Sequence, residues 1–278
     1  MFAGWQLRKV VSVPHPSGLI TLLTDFGDRD WFVASMKGVI LSINPQATVV
    51  DLSHRVPSHA VEDGAYVWKS SYRYFPDGTV HVAVVDPGVG SERRPLIAKS
   101  SRYYFVVPDN GLLTYVFEQE GEVEVRQIEN KQYQLESEGH TFDGRDIFAP
   151  AAAWLTRNQP FASYGRVVGE PITFKIAQPH WEQSALVGEV VYVDTFGNLI
   201  TNLTLSHVKE VREFTKRPNP LIRIANHSID GLVGYYADGD RHSPHALINS
   251  DGRLEIFCKE ATASALLNVG RHELVKLS

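Results

Sequence analysis

The segment LITLLT, residues 19–24, carries no charged residue, and TVHVAVVD, residues 79–86, is nearly as apolar. A short run with no polar face belongs to a strand covered on both sides. Between these two runs the period changes. Phe32, Met36, Val39, Ile40 and Ile43 fall on one face of a helix, which Asn44-Pro45 closes. ATVVDLS (47–53) is a further strand. Ser58 is placed to cap a second helix, with Glu62 and Asp63 in its first turn and Val61, Ala65, Trp68 and Tyr72 on its buried face. Strand, helix, strand, helix, strand with apolar strands predicts an α/β fold: a largely parallel sheet with helices on both faces.

LIAKS and YYFVVP follow as a hairpin, PDNG (108–111) turns into a short helix, and another helix runs from Ile147 to Arg157. Beyond about residue 178 the texture changes. AQPHWEQSA reads as a linker. LVGEVVYVD, NLITNL, LIRIA, ALINS, LEIFC and ELVKL are short strands divided by Gly, Asn and Asp, the pattern of a small all-β barrel or sandwich. The expectation is an N-terminal α/β domain over 18–178 and a C-terminal barrel-like β domain over 186–278.

Composition narrows the function classes. A net charge of −5 over 278 residues argues against a generic nucleic-acid or membrane-surface role. No apolar run approaches the roughly 18–20 residues that span a bilayer. The first residues, before the prolines, lack the apolar core of a signal peptide and read as a short extension. One cysteine, Cys258, permits no intramolecular disulfide and no cysteine metal cluster, and fits a reducing, cytoplasmic compartment.

Ligands of open α/β sheets bind beyond the carboxyl ends of the strands. Three strands end in polar, glycine-containing loops: Thr24-Asp25-Phe26-Gly27, Asp86-Pro87-Gly88-Val89-Gly90-Ser91-Glu92-Arg93-Arg94, and Asp109-Asn110-Gly111. If these ends share an edge, Asp25, Asp86 and Asn110 converge there. Each also has a plainer reading. Taken alone, Asp25 more often serves as a turn or helix cap. Gly88-Val89-Gly90 is half of a dinucleotide fingerprint, with Arg93 where a third small residue belongs. Arg93 and Arg94 read as solvated or ion-paired. His54, His59 and His81 show no metal-ligand spacing, so no metal is expected. In the β domain, Asp194-Thr195-Phe196-Gly197-Asn198 and Asn249-Ser250-Asp251-Gly252 read locally as hairpin turns. Their alternative is to present an aromatic face and an amide to a flat base.

Taken in order, TDFG (24–27), INPxAxVVDLSH (43–54), GTVHVAVVDPGVGSERR (78–94), VVPDNG (106–111), TFxGRDIFAPAAA (141–153), DxFGN (194–198) and NSxGxLEI (249–256) resemble the S-adenosylmethionine hydroxide adenosyltransferase family, which is similar to the 5′-fluorinases and chlorinases. The resemblance implies a homotrimer with active sites between one subunit's N-terminal domain and its neighbour's C-terminal domain. It implies attack of water or hydroxide on C5′ of S-adenosylmethionine, releasing adenosine and methionine with no cofactor. By the motif match Asp25 holds the ribose hydroxyls, Phe196 and Asn198 contact adenine, and Asp194 and Ser250 hold the two ends of methionine. Asn110 completes the substrate edge. Asp86 and Arg93 organise the water.

Two positions depart from that pattern. The family's third catalytic residue is a histidine, and here its slot holds Asp143. A neutral imidazole both donates and accepts, whereas an ionised carboxylate only accepts. Either Asp143 forms a carboxylate pair with Asp86, one pKa raised, or the chain binds the ligand without turning it over efficiently. His140, three residues earlier, is an alternative imidazole. The second departure is Cys258-Lys259-Glu260-Ala261-Thr262, where Ala261 replaces a glycine and is expected to narrow the adenine contact. Two readings follow: an S-adenosylmethionine hydrolase, or a small-molecule binding protein on the same scaffold.

Overall fold

The structure is a computed structural model describing residues 15–278; the N-terminal extension expected from the sequence lies outside the described residues, apart from its last few positions. The chain divides after Phe174 into two compact units.

The first unit begins β1 (Leu19–Thr24), α1 (Phe32–Ile43), β2 (Thr48–Ser53), α2 (Val61–Ser71) and β3 (Val80–Val84). The hairpin β4 (Pro95–Lys99) and β5 (Tyr104–Pro108) follows, then α3 (Thr114–Glu120), β6 (Glu124–Gln127) and α4 (Ala149–Thr156). The six strands form one sheet in the order β2-β1-β3-β5-β4-β6. β2, β1, β3 and β5 are parallel, while β4 runs against both its neighbours. Side chains alternate across a strand, and β3 shows both faces covered. Val80, Val82 and Val84 pack with Met36 and Ile40 of α1 and Ala151, Ala152 and Ala153 of α4. On the opposite face, His81 lies against Tyr72 and beside Phe105, whose ring meets Trp68 of α2 edge-on. That burial on two sides is why β1 and β3 read as apolar runs.

Two local expectations are corrected. Ser58 does not cap α2. The residue ahead of the helix is Ala60, with no side-chain cap, because the chain first turns through Pro57 and a left-handed His59. The helix expected from Ile147 begins instead as a π-helical turn, Gly144–Phe148, that runs into α4. Arg145 and Asp146 therefore lie in the π turn, paired to each other at 2.6 Å, and Asp146 is buried. Such turns cluster at functional sites.

The second unit contains β7 (His180–Glu182), β8 (Ala185–Val193), β9 (Leu199–Thr204), α5 (Leu205–Thr215), β10 (Leu221–Ile224), β11 (His227–Asp230), β12 (His245–Ile248), β13 (Arg253–Phe257), α6 (Ala263–Leu267) and β14 (Leu274–Leu277). Its strands make an antiparallel, near-barrel sheet in the order β11-β10-β14-β8-β9-β13-β12, with β7 beside β8. Leu186, Val190, Leu199, Leu203, Ile222, Leu254 and Val275 fill its core. The all-β expectation for this unit omits α5 and α6. Helix α5 has clear local signals. It starts at a capping box between Thr204 and His207 and buries Val208 and Val211.

Candidate active site

β1, β3 and β5 are adjacent and parallel, so Asp25, Asp86 and Asn110 all follow strand ends on one edge of the sheet. The second loop is the most constrained. After Asp86 it turns through Val89 N–H to the Asp86 carbonyl and Ser91 N–H to the Gly88 carbonyl, then enters β4 rather than a helix. It is therefore no dinucleotide loop. Gly90 is left-handed (φ 79°), and a Cβ there would sit 2.9 Å from the His140 carbonyl oxygen, so a close approach to the 140 loop requires glycine.

Across that approach lies a three-residue cluster. Arg93 Nε donates to Asp86 Oδ1 at 2.9 Å, and its Nη2 reaches both Asp86 Oδ2 and Asp143 Oδ2. The Arg93 side chain is 9% exposed, stacked over Phe148 at 5.4 Å. One guanidinium thus serves two nearly buried carboxylates. Burial pushes the Asp86 carboxyl above the usual range, the neighbouring Asp143 charge adds to this, and Arg93 opposes it without cancelling it. For Arg93, burial disfavours the cation, and the two carboxylates outweigh that penalty, so its pKa rises. A cleft of about 510 Å³ reaches Arg93 and Asp143, and His140 lines it too.

Arg94 points elsewhere, donating to Asp109 at 2.7 Å and to the Glu170 carbonyl at 2.8 Å. Asn110 ties its loop down: its amide donates to the Val85 carbonyl at 2.8 Å. Asp25 Oδ2 accepts the His59 N–H at 2.9 Å, and the residue is partly exposed. His81 is no ligand of anything outside the core. Its Nδ1 pairs with Thr21 Oγ1 at 2.7 Å, and burial pushes its pKa down to about 3. Among the described residues no group of three or more His, Cys, Asp or Glu side chains is arranged to hold a metal ion.

The second unit has its own concavity, about 780 Å³, lined by Asp194, Phe196, Asn198, Tyr236, Phe257 and Lys259 among others. Asp194 builds the turn beneath it. Its Oδ1 accepts the N–H groups of Phe196 and Asn198, and its Oδ2 accepts the Asn198 amide at 3.1 Å. That leaves Asn198 fixed and Phe196 73% exposed, two residues along the chain from each other. Tyr236, from the stretch GYYADGD, lines the same cavity, and sequence reasoning gave it no role. Its hydroxyl donates to buried Glu255 at 2.7 Å, and Asn249 donates to the other Glu255 oxygen at 3.0 Å. Ser250 is exposed at the tip of the adjoining turn and is not part of the cavity lining. Ala261 bends back onto Cys258 without a left-handed backbone; Glu260 takes that conformation instead (φ 56°), so the missing glycine imposes no strain at 261.

With that geometry in view, comparison with known proteins is decisive. Residues 20–165 match the SAM hydroxide adenosyltransferase N-terminal domain, and residues 188–276 match its C-terminal domain. The chain belongs to the SAM hydroxide adenosyltransferase family. Within it, the chain is 35% identical over 263 residues to an (R)-S-adenosyl-L-methionine hydrolase of Methanocaldococcus jannaschii, covering 90% of this chain and 92% of the relative. A protein of the same name from Thermus thermophilus is 32% identical, covering 93% and 98%. A fluorinase of an Actinoplanes species is 29% identical over 86% and 90%. A crystal structure of an uncharacterized conserved protein from Thermotoga maritima superposes with a TM-score of 0.84 at 33% identity, covering 93% of this chain and 99% of that one. Among the described residues no helix is long and apolar enough to cross a membrane.

Proposed function

We propose that this family member hydrolyses S-adenosyl-L-methionine to adenosine and L-methionine. The observation that carries the reading is the Asp86–Arg93–Asp143 cluster: a buried carboxylate of raised pKa, held in place by a guanidinium, beyond the end of a central strand. The sulfonium is already a good leaving group, so the barrier lies in aligning water and taking its proton. In the proposed step a water oxygen bonds to C5′ as the C5′–S bond breaks. That bond's electron pair goes to sulfur, leaving neutral methionine, and the water proton goes to Asp86. A base whose pKa sits nearer the working pH is the better one. Arg93 keeps its proton throughout. It orients Asp86 and offsets charge developing on the water oxygen. Asp143 takes the histidine's slot as a second acceptor that fixes Arg93, so the carboxylate-pair reading is preferred.

Asp25 is assigned the ribose hydroxyls and Asn110 the shaping of that edge. Phe196, Asn198 and Tyr236 are assigned the adenine, and Asp194 and Ser250 the methionine. These groups lie on two units, and the proposed assembly is a homotrimer that pairs one subunit's first unit with its neighbour's second. We read the protein as cytoplasmic, with Cys258 a free thiol.

Incubating the pure protein with S-adenosylmethionine and following adenosine by chromatography tests the reaction. Adenosine above the uncatalysed rate is expected. Calorimetric binding with no such adenosine would instead establish the binding-protein reading, which the loss of histidine at position 143 favours.

A further inference from the structure

Asp25 sits in the loop after β1, which the loop between β2 and α2 grips at several points. Gly27 N–H donates to the His54 carbonyl at 2.7 Å, and the N–H of left-handed His59 (φ 67°) donates to Asp25 Oδ2. A non-glycine residue in that conformation costs energy and persists where its surroundings hold it. Arg55 adds an exposed ion pair to Asp28 at 2.5 Å, and the His54 side chain reaches the foot of the loop. Buried Thr24 Oγ1 accepts the Phe26 N–H at 3.2 Å and pairs with His54 Nδ1 at 2.9 Å. On the far side, His54 Nε2 lies 3.0 Å from Asp51 Oδ1, off the line of a good hydrogen bond. Asp51 Oδ2 in turn accepts from Lys37 at 2.6 Å. The β1–β2 register slips at this point: Leu22 faces Asp51 but Leu23 faces Ser53, leaving Leu52 unpaired. A bulge re-aims the side chains beside it.

We infer that His54 is a positioning residue for Asp25: the run Lys37, Asp51, His54, Thr24 fixes the loop so that one carboxylate oxygen is held by His59 and the other is free to face a vicinal diol. The inference rests on the assignment of Asp25 to the ribose. Thr24 and His54 touch no substrate in this account. They act through the loop.

Calorimetry with adenosine and with 2′,3′-dideoxyadenosine, which lacks the diol, tests it. Wild type is expected to prefer adenosine, and Asp25→Asn to lose that preference. His54→Ala is expected to weaken adenosine about tenfold while leaving dideoxyadenosine unchanged. His54→Asn, which keeps a hydrogen-bonding group where Nδ1 lies, should restore most of the loss; His54→Gln, whose amide reaches towards Asp51 instead, should not. Thr24→Val removes the hydroxyl at nearly constant shape and should reproduce the loss should His54→Ala fail to fold. A wild-type protein that does not distinguish the two nucleosides removes the ribose assignment and this inference together. A wild type that distinguishes them, with His54→Ala and Thr24→Val doing so equally well or losing both ligands alike, overturns the inference alone.

Discussion

At residue 143 the chemistry turns on what a carboxylate does in an imidazole's place. Asp143 accepts from Arg93 and cannot donate to water, so its contribution runs through the guanidinium. Asp143→Asn should lower kcat by roughly tenfold to a hundredfold, because an amide left near a buried, once-paired guanidinium forfeits a charge-assisted bond. KM for S-adenosylmethionine should move little. Asp143→His should retain or improve turnover. On the proposed reaction, kcat of the parent should fall as pH drops through the pKa of Asp86, which burial sets above the ordinary carboxylate range, and the Asp143→Asn profile should shift that limb to lower pH by removing one like charge. An unchanged rate and limb in Asp143→Asn would rule out the pair. Asp86, Arg93 and Asp143 were singled out by the motif match, the first two in the loop after β3 and the third just ahead of the π turn. The roles of Tyr236 and His54 were not legible. Tyr236 gains its meaning from Glu255, and His54 from Thr24, contacts made through space across many residues.

Elements were legible where one period ran unbroken. β1, α1 and the β4–β5 hairpin emerge from their apolar spacing, since burial on defined faces is what creates that spacing. Signals failed where tertiary contact decides the backbone. Gly144 is packed within 3.1–3.3 Å, for a would-be Cβ, of Phe142, Met36 and Phe26, and the chain there adopts a π turn that no local preference announces. The Asp194–Asn198 turn is the stronger test of this idea. Gly197 is left-handed (φ 80°), and a Cβ would fall 2.1 Å from Thr262 Cγ2. Gly197→Ala should therefore cost about 1–3 kcal/mol of stability and weaken adenosine binding, because the turn holds Asn198. Adding Thr262→Ser removes the clashing methyl but not the backbone cost, so it should recover part of the loss. Thermal melts of the parent and the two variants check this, and full recovery would show that backbone strain is unimportant.

On the scale of the whole molecule, the two fold classes were legible because sheets buried on both faces and sheets alternating strand by strand leave different textures, and the chain switches texture once. One part of its response to acid was not legible, because it rests on a histidine buried within β3. His81 is enclosed by Tyr72, Tyr103 and Phe105, and burial holds its pKa near 3 against 6.5 for an open imidazole. The unfolded chain then binds the extra proton first. Stability is fully present above pH 6.5 and falls as pH drops from there to about 3, by about 2 kcal/mol at pH 5. Asp86 acts with the opposite sign: its raised pKa means that the folded state holds the proton, so over its own window stability falls as pH rises. Removing the imidazole alone would orphan the Thr21 hydroxyl, so the informative variant is Thr21→Val with His81→Phe, which replaces both partners by apolar groups. Urea titrations from pH 7.5 to 4 should show the double variant losing about 2 kcal/mol less than the parent by pH 5. Hydrogen exchange at pH 5 should show the parent's extra opening in β3 and α2 and not in β8, β9 or β13. Equal slopes for parent and variant would mean that His81 finds solvent before the first unit opens.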